Sequence, residues 1–292
     1  QIKKTIILLA DKSSEMTFWD HLDALRGVLF RIGIVICVLT IGFFCVMPEL
    51  FNAIILAPCR PDFPLYKLFD GIDGDGLLMP ALSGDGFSIT LVNIRLASQF
   101  LIHVSCSVWA AFIIGFPLII YIIWTFVSPA LYEREKRAAR KAFALGCSMF
   151  YLGILTAYFM VFPMTLRFLA DYRLSDTITN TVSIDSYMDT FFTLVLAMGL
   201  VFELPLLAWT LGKAGILTKT FFRKYRRHAI VALLITAAVI TPTGDPVTLF
   251  AVFIPLYALW ELGGLLVPEK PVDNQGDGPI AGDIAGSTET IH

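Results

Sequence analysis

Between Val28 and Val267 the chain repeats long apolar runs, and its lysines and arginines crowd into alternate gaps between them. A run that crosses a hydrocarbon core roughly 30 Å thick needs about 20 predominantly apolar residues. Its backbone polar groups must also be paired within its own helix. A chain made of such runs folds as a bundle of membrane helices, so its functional groups lie in or beside a bilayer. With 57% hydrophobic residues, 16% charged residues and a mean hydropathy of +0.74, the chain is too apolar for a soluble domain.

Six segments follow from the runs. Residues 28–47 form the first, ended by Pro48, and residues 100–127 the second, about 42 Å long as a helix and so expected to tilt or emerge. Residues 142–162 form the third, closed by Pro163, and residues 190–211 the fourth, which contains Glu203 and Pro205. Residues 229–240 and 247–260 flank the breaker Thr241-Pro242-Thr243-Gly244-Asp245-Pro246. They read as two short crossings that thin the bilayer around them, with a single re-entrant hairpin as the competing reading. Three parts result: a cytoplasmic segment 1–27, a membrane domain 28–267, and a polar, Gly-rich tail 268–292 expected to be disordered. In the first part Phe18, Leu22 and Leu25 recur at helical spacing beside Trp19, which predicts an amphipathic helix along the interface. No secretory signal is expected, because the apolar stretch 6–10 is too short.

Orientation follows from the cations. The gap between segments two and three carries Arg134, Lys136, Arg137, Arg140 and Lys141; the gap between four and five carries Lys213, Lys219, Arg223, Lys224, Arg226 and Arg227. The 49–98 connection has only Arg60, Lys67 and Arg95, and the 163–189 connection only Arg167 and Arg173. The positive-inside rule therefore places the rich gaps and both termini in the cytoplasm.

Three polar clusters stand out. Glu203 lies near mid-bilayer, where a charged side chain costs about 2.5–3.5 kcal/mol on insertion scales. Pro205, two residues on, frees backbone carbonyls beside it. With no Lys, Arg or His at a matching depth, Glu203 reads either as a staple between helices of this chain or as a docking or proton-relay group. At the cytoplasmic mouth, Glu133 and Glu135 are the acids of the otherwise basic run 133–137; this is a solvated helix start or a carboxylate site for a planar cation such as Arg. The Asp70-Gly-Ile-Asp73-Gly-Asp75-Gly76 run lacks EF-hand spacing and reads as a solvated turn. The five cysteines show no CxxC spacing, and the four histidines no ligand spacing, so no metal or cofactor is expected. HExxH, GxSxG and Walker A patterns are missing, and a charge of -2 gives no reason to expect nucleic-acid binding. From these residues alone, a proton-coupled secondary transporter of a small solute competes with a receptor, while an intramembrane protease lacks paired groups in facing segments.

Several motifs then act together: His21-Leu22-x-x-Leu25-Arg26; Leu56-Ala57-Pro58; Ser128-Pro129-Ala-Leu-Tyr132-x-x-Glu135-x-Arg137; Tyr158-Phe159 with Pro163; Phe202-Glu203-x-Pro205; Thr241-Pro242-x-x-Asp245-Pro246; and Tyr257 with Glu261-x-Gly263. On these the chain, over about residues 17–265, resembles the TatC family, the multi-span receptor subunit of the twin-arginine protein translocase. The resemblance implies an all-α integral membrane fold, six transmembrane helices in a concave, glove-like arrangement, in a bacterial-type inner membrane. It implies no enzyme. It implies that Glu135, in the run with Arg137, binds the twin arginines of signal peptides on folded cargo proteins, and that Glu203, with Phe202 and Pro205, meets single-span partner subunits. It further implies transport powered by the proton-motive force and assembly into homo- and hetero-oligomers. Pro58, Pro129, Tyr132, Pro163, Pro242, Asp245 and Glu261 are structural positions of the same motifs. One departure concerns the N-terminal half of the signal site, where the family often has glutamate and this chain has Ala24, leaving Asp23 or Asp20 as substitutes.

Overall fold

Prolines decide more of this architecture than the apolar runs alone suggest. The computed structural model describes residues 18–67, 89–130, 133–172, 175, 180–213, 215–241 and 245–267; at 18–21, 130, 133–135, 137–139 and 171 only the backbone is described. The acidic turn at 70–76 and the tail 268–292 lie outside these residues. Helix α1 spans Phe18–Leu50 and continues into a π-helical turn, Phe51–Ile55, and a 3-10 turn, Ala57–Cys59. The interfacial stretch and the first crossing are therefore one helix, without a joint at residues 27–28.

Pro48 does not end α1, contrary to the sequence expectation. Its missing N–H orphans the carbonyl of Phe44, four residues back. The Nε2 of His103 lies 2.9 Å from that carbonyl and donates to it, and the imidazole stacks flat on the Phe44 ring, with centroids 4.0 Å apart. The same repair occurs once more: Pro117 orphans the carbonyl of Ile113, which accepts from the Tyr151 hydroxyl at 2.9 Å. At the end of the π turn the Ile54 carbonyl accepts from the Tyr158 hydroxyl at 2.8 Å. Pro48 and Pro117 thus each convert a bond within a helix into a bond between helices. Tyr151→Phe is expected to lower unfolding stability in detergent micelles by about 1–2 kcal/mol. In a Pro117→Ala background, where residue 117 regains its N–H, the same change is expected to cost almost nothing; an equal cost in both backgrounds would contradict this account.

Helix α2 is Ser98–Val127, about 45 Å long, and packs along α1. A 3-10 turn, Ser128–Ala130, leads towards α3, Glu133–Thr156, which passes through a π-helical turn, Ala157–Val161, into α4, Phe162–Asp171. Pro163 therefore does not close the third segment: it sits in the first turn of α4, where its missing N–H costs little, just after the π turn has shifted the backbone register. Helices α5, Ile184–Val201, and α6, Leu204–Lys213, form the broken fourth crossing. The short helix α7, Lys219–Lys224, precedes α8, Arg226–Ile240, and α9, Pro246–Leu266.

Among the described residues, five stretches are long and apolar enough to cross a membrane: Leu22–Lys67, Ser98–Val127, Arg140–Ala170, Ile184–Lys213 and Pro246–Leu266. The 15 residues of α8 give about 22 Å, short of a hydrocarbon core. With 21 residues α9 reaches about 32 Å, because the helix continues beyond Trp260 to Leu266. Only one of the last two helices is therefore short.

The shared core lies where α3, the π turn, α5 and α9 meet; Phe150, Ala157, Val161, Leu194, Met198, Val252 and Leu256 have 0% exposure there. By contrast α1 presents Leu29, Phe30, Ile34, Val38 and Ile41 outward, each more than 60% exposed, as a lipid-facing helix should. On the far side a parallel pair of two-residue strands, β1 (Leu91–Val92) and β2 (Val182–Ser183), ties two connections together in the register Leu91 to Val182.

Candidate functional site

The fourth crossing breaks at Phe202 and Glu203, between α5 and α6. The cause is Pro205, which offers no N–H to Val201 and whose ring crowds that carbonyl. The local bonds show the interruption: Phe202 N–H reaches Met198 O at 3.0 Å in helical fashion, but Glu203 N–H turns to Leu200 O at 3.1 Å, three residues back. Helical bonding resumes with Leu207 N–H on Glu203 O at 3.0 Å. Phe202 and Pro205 are buried and pin the turn, leaving Glu203 half-buried beside the exposed Leu204 and Leu207.

The Glu203 carboxyl rests against Gly146 of α3: a β-carbon built there would lie 3.2 Å from Oε2 and 3.6 Å from Oε1. Its Oε1 is buried and has no hydrogen-bond partner among the described residues. Gly153, two turns further along α3, makes the closest approach to α5. A β-carbon there would stand 2.6 Å from Met198 O, 2.9 Å from the Gly199 Cα and 2.9 Å from the Phe202 Cβ. The glycines thus bring α3 close enough to set the position of the Phe202–Glu203 turn. The apolar pattern did not flag them, since a small residue is diagnostic only once its facing helix is known.

At the basic end of α3, Pro129 lies in the 3-10 turn that precedes the helix, and Glu135 and Arg137 fall in its first turns. The side chains of Glu135 and Arg137, and Tyr132 altogether, lie outside the described residues. The backbone still places residue 135 on the Gly146 face of α3: the eleven-residue step from one to the other turns about 20° beyond three full turns and rises about 16 Å. Residue 133 sits about 200° around the helix from residue 135, on the opposite face of α3. Asp23 is exposed on α1, whose helix is regular from Phe18, so it stays about 100° around from Ala24. The side chain of Asp20 lies outside the described residues.

The motif positions find local explanations. Asp245 caps α9, its Oδ1 accepting from Thr248 N–H at 2.7 Å with Pro246 at the first helical position. Pro242 lies outside the described residues. The carbonyls of Pro58 and Pro163 both face the Tyr66 hydroxyl, at 2.9 and 3.4 Å. Glu261 has a partner the sequence reading missed: Arg226 Nε donates to its Oε1 at 2.7 Å and lies 2.9 Å from the Tyr257 hydroxyl, joining α8 to α9. The spacing of Tyr257 and Glu261, four apart on one helix face, was the available signal. Between α2 and α5 a groove of about 490 Å³, lined by Trp109, Asp189, Phe192, Thr193 and Leu200 among others, runs along α5 to within one turn of Glu203. Among the described residues, no three His, Cys, Asp or Glu side chains gather as metal ligands.

The family model described as Sec-independent protein translocase protein (TatC) matches residues 20–255. The chain is 31% identical over 255 residues to the Sec-independent protein translocase protein TatC of Blattabacterium, covering 87% of this chain and 95% of that one. It is 39% identical over 179 residues to the TatC of Deinococcus radiodurans, covering 61% and 66%. A crystal structure of the twin-arginine translocase receptor TatC superimposes with a TM-score of 0.62 at 29% identity, over 84% of this chain and 97% of that one. This chain is a multi-pass membrane protein that belongs to the TatC family of Sec-independent protein translocase components.

Proposed function

We propose that this chain is the receptor subunit of a twin-arginine translocase in a bacterial-type inner membrane, with both termini in the cytoplasm. Arg-Arg signal peptides of folded cargo bind at the cytoplasmic mouth, where Glu135 offers charge-assisted, bidentate hydrogen bonds that a guanidinium pair fills better than ammonium groups. The apolar part of the signal then lies along the groove between α2 and α5. Single-span subunits dock through a polar group at Glu203, and the assembled homo- and hetero-oligomer exports the cargo at the expense of the proton-motive force. The chain binds and recruits; it is not an enzyme.

One observation carries this reading. A carboxyl group sits at a proline-made break within a membrane crossing, with one oxygen buried and unpartnered among the described residues. A group so placed costs stability unless something outside the chain completes it. Glu203→Ala is expected to reduce co-purification of the single-span subunits by about tenfold, as loss of one hydrogen bond to a charged group in a dry site implies. Crosslinking of a twin-arginine peptide to the cytoplasmic mouth should change less than twofold. Unchanged subunit stoichiometry in the purified complex would count against the docking role.

A further inference from the structure

The geometry points to Gly146 as a positioning residue for the intramembrane carboxyl: it forms the seat into which Glu203 withdraws while no partner subunit is bound. This rests on the reading of Glu203 as the docking group.

Gly146 differs from its neighbour Gly153 in what a side chain would meet. At Gly153 the obstacles include the backbone of α5, which does not yield. At Gly146 they are the ends of movable side chains: Leu206 Cδ2 at 3.0 Å, Glu203 Oε2 at 3.2 Å and Glu203 Oε1 at 3.6 Å. A methyl group there crowds Leu206 Cδ2 and then Oε2, side-chain ends that must each give by a few tenths of an ångström, so it presses on the carboxyl rather than on the facing backbone. The glycine offers the carboxyl a place away from lipid but no hydrogen bond, since Oε1 stays unpartnered among the described residues. Leu204 and Leu207, 42% and 54% exposed, border the same turn on its open side, so a carboxyl crowded at Gly146 shifts towards that surface. The seat therefore shields Glu203 without satisfying it. A partner that brings a donor takes the carboxyl from a place where it gives up no bond.

A change that raises the free energy of the unbound state and leaves the bound state untouched tightens partner binding by the same amount. Gly146→Ala narrows the seat, and association with the single-span subunits is expected to rise about threefold or more. Gly146→Ser adds nearly the same volume but supplies a hydroxyl donor beside the carboxyl, so association is expected to fall on the order of tenfold. A purely packing role moves both variants in one direction. The experiment titrates single-span subunits against the full chain in lipid nanodiscs, with each variant made alone and in a Glu203→Ala background. Opposite shifts that both vanish in that background support the seat. Shifts of the same sign, no shift, or shifts that persist without the carboxylate overturn it while leaving the docking role intact. If Glu203→Ala alone leaves association unchanged, the docking reading fails and the seat with it. Should Gly146→Ala fail to fold, Gly146→Ser decides: a decrease that depends on Glu203 supports the seat, and any other result overturns it.

Discussion

Glu135→Gln is expected to reduce crosslinking of a twin-arginine peptide to the 128–137 region by about tenfold or more, whereas Glu133→Gln changes it less than twofold. The amide keeps the shape of the carboxylate but removes its charge and one of its two acceptors. A hydrogen bond to a charged group is worth about 1.5–3 kcal/mol, and 1.4 kcal/mol is already a factor of ten. The contrast between the two acids comes from the helix. Residue 135 shares a face of α3 with Gly146, whereas residue 133 is about 200° away. Replacing the peptide's Arg pair by Lys should weaken binding to the unmodified chain, because a compact ammonium does not match the two carboxylate oxygens at once. Equal losses from both glutamine variants would reject the assignment of Glu135 to the signal peptide.

Gly153→Ala is expected to destabilise the fold by about 1–3 kcal/mol, and Gly153→Leu to prevent accumulation of folded protein. The new methyl meets Met198 O at 2.6 Å and Gly199 Cα at 2.9 Å, so α3 and α5 must separate. The matching control is Gly42→Ala on α1, where a β-carbon meets nothing within 4 Å. There the greater helix propensity of alanine should leave stability unchanged or raise it by up to about 1 kcal/mol. Thermal unfolding in detergent, followed by the monodisperse fraction that survives heating, measures both. A β-carbon at Gly153 would also stand 2.9 Å from the Phe202 Cβ, so its substitution should loosen the turn that holds Glu203. Similar melting for the Gly153→Ala and Gly42→Ala proteins would show that the helix crossing tolerates expansion and would remove glycine contact as its cause.

Much of this molecule was legible in its residues because a bilayer enforces a simple rule. Long apolar runs must become helices, and a lone carboxylate within one of them is expensive enough to stand out, as Glu203 did. Two of the prolines were read locally and therefore misread. Pro48 and Pro163 looked like terminators, yet His103 supplies the bond that Pro48 removes, and a π turn prepares the chain for Pro163. Neither repair is visible in one segment, since each depends on what lies across the helix boundary. The pairing of Arg226 with Glu261 went unnoticed for the same reason: its members are 35 residues apart.

By itself, then, the order of residues determined where the chain crosses the membrane, which gaps hold the cations and which carboxyl lies in the apolar layer. Those properties follow from transfer free energies, which sum along a segment without reference to its neighbours. Only the tertiary structure decided that Gly153 meets the backbone of α5, that Gly146 lies beneath Glu203, and that aromatic side chains take up the carbonyls freed by proline. Such contacts depend on distances of a few ångströms between helices far apart in the chain, and no periodicity within one helix encodes them.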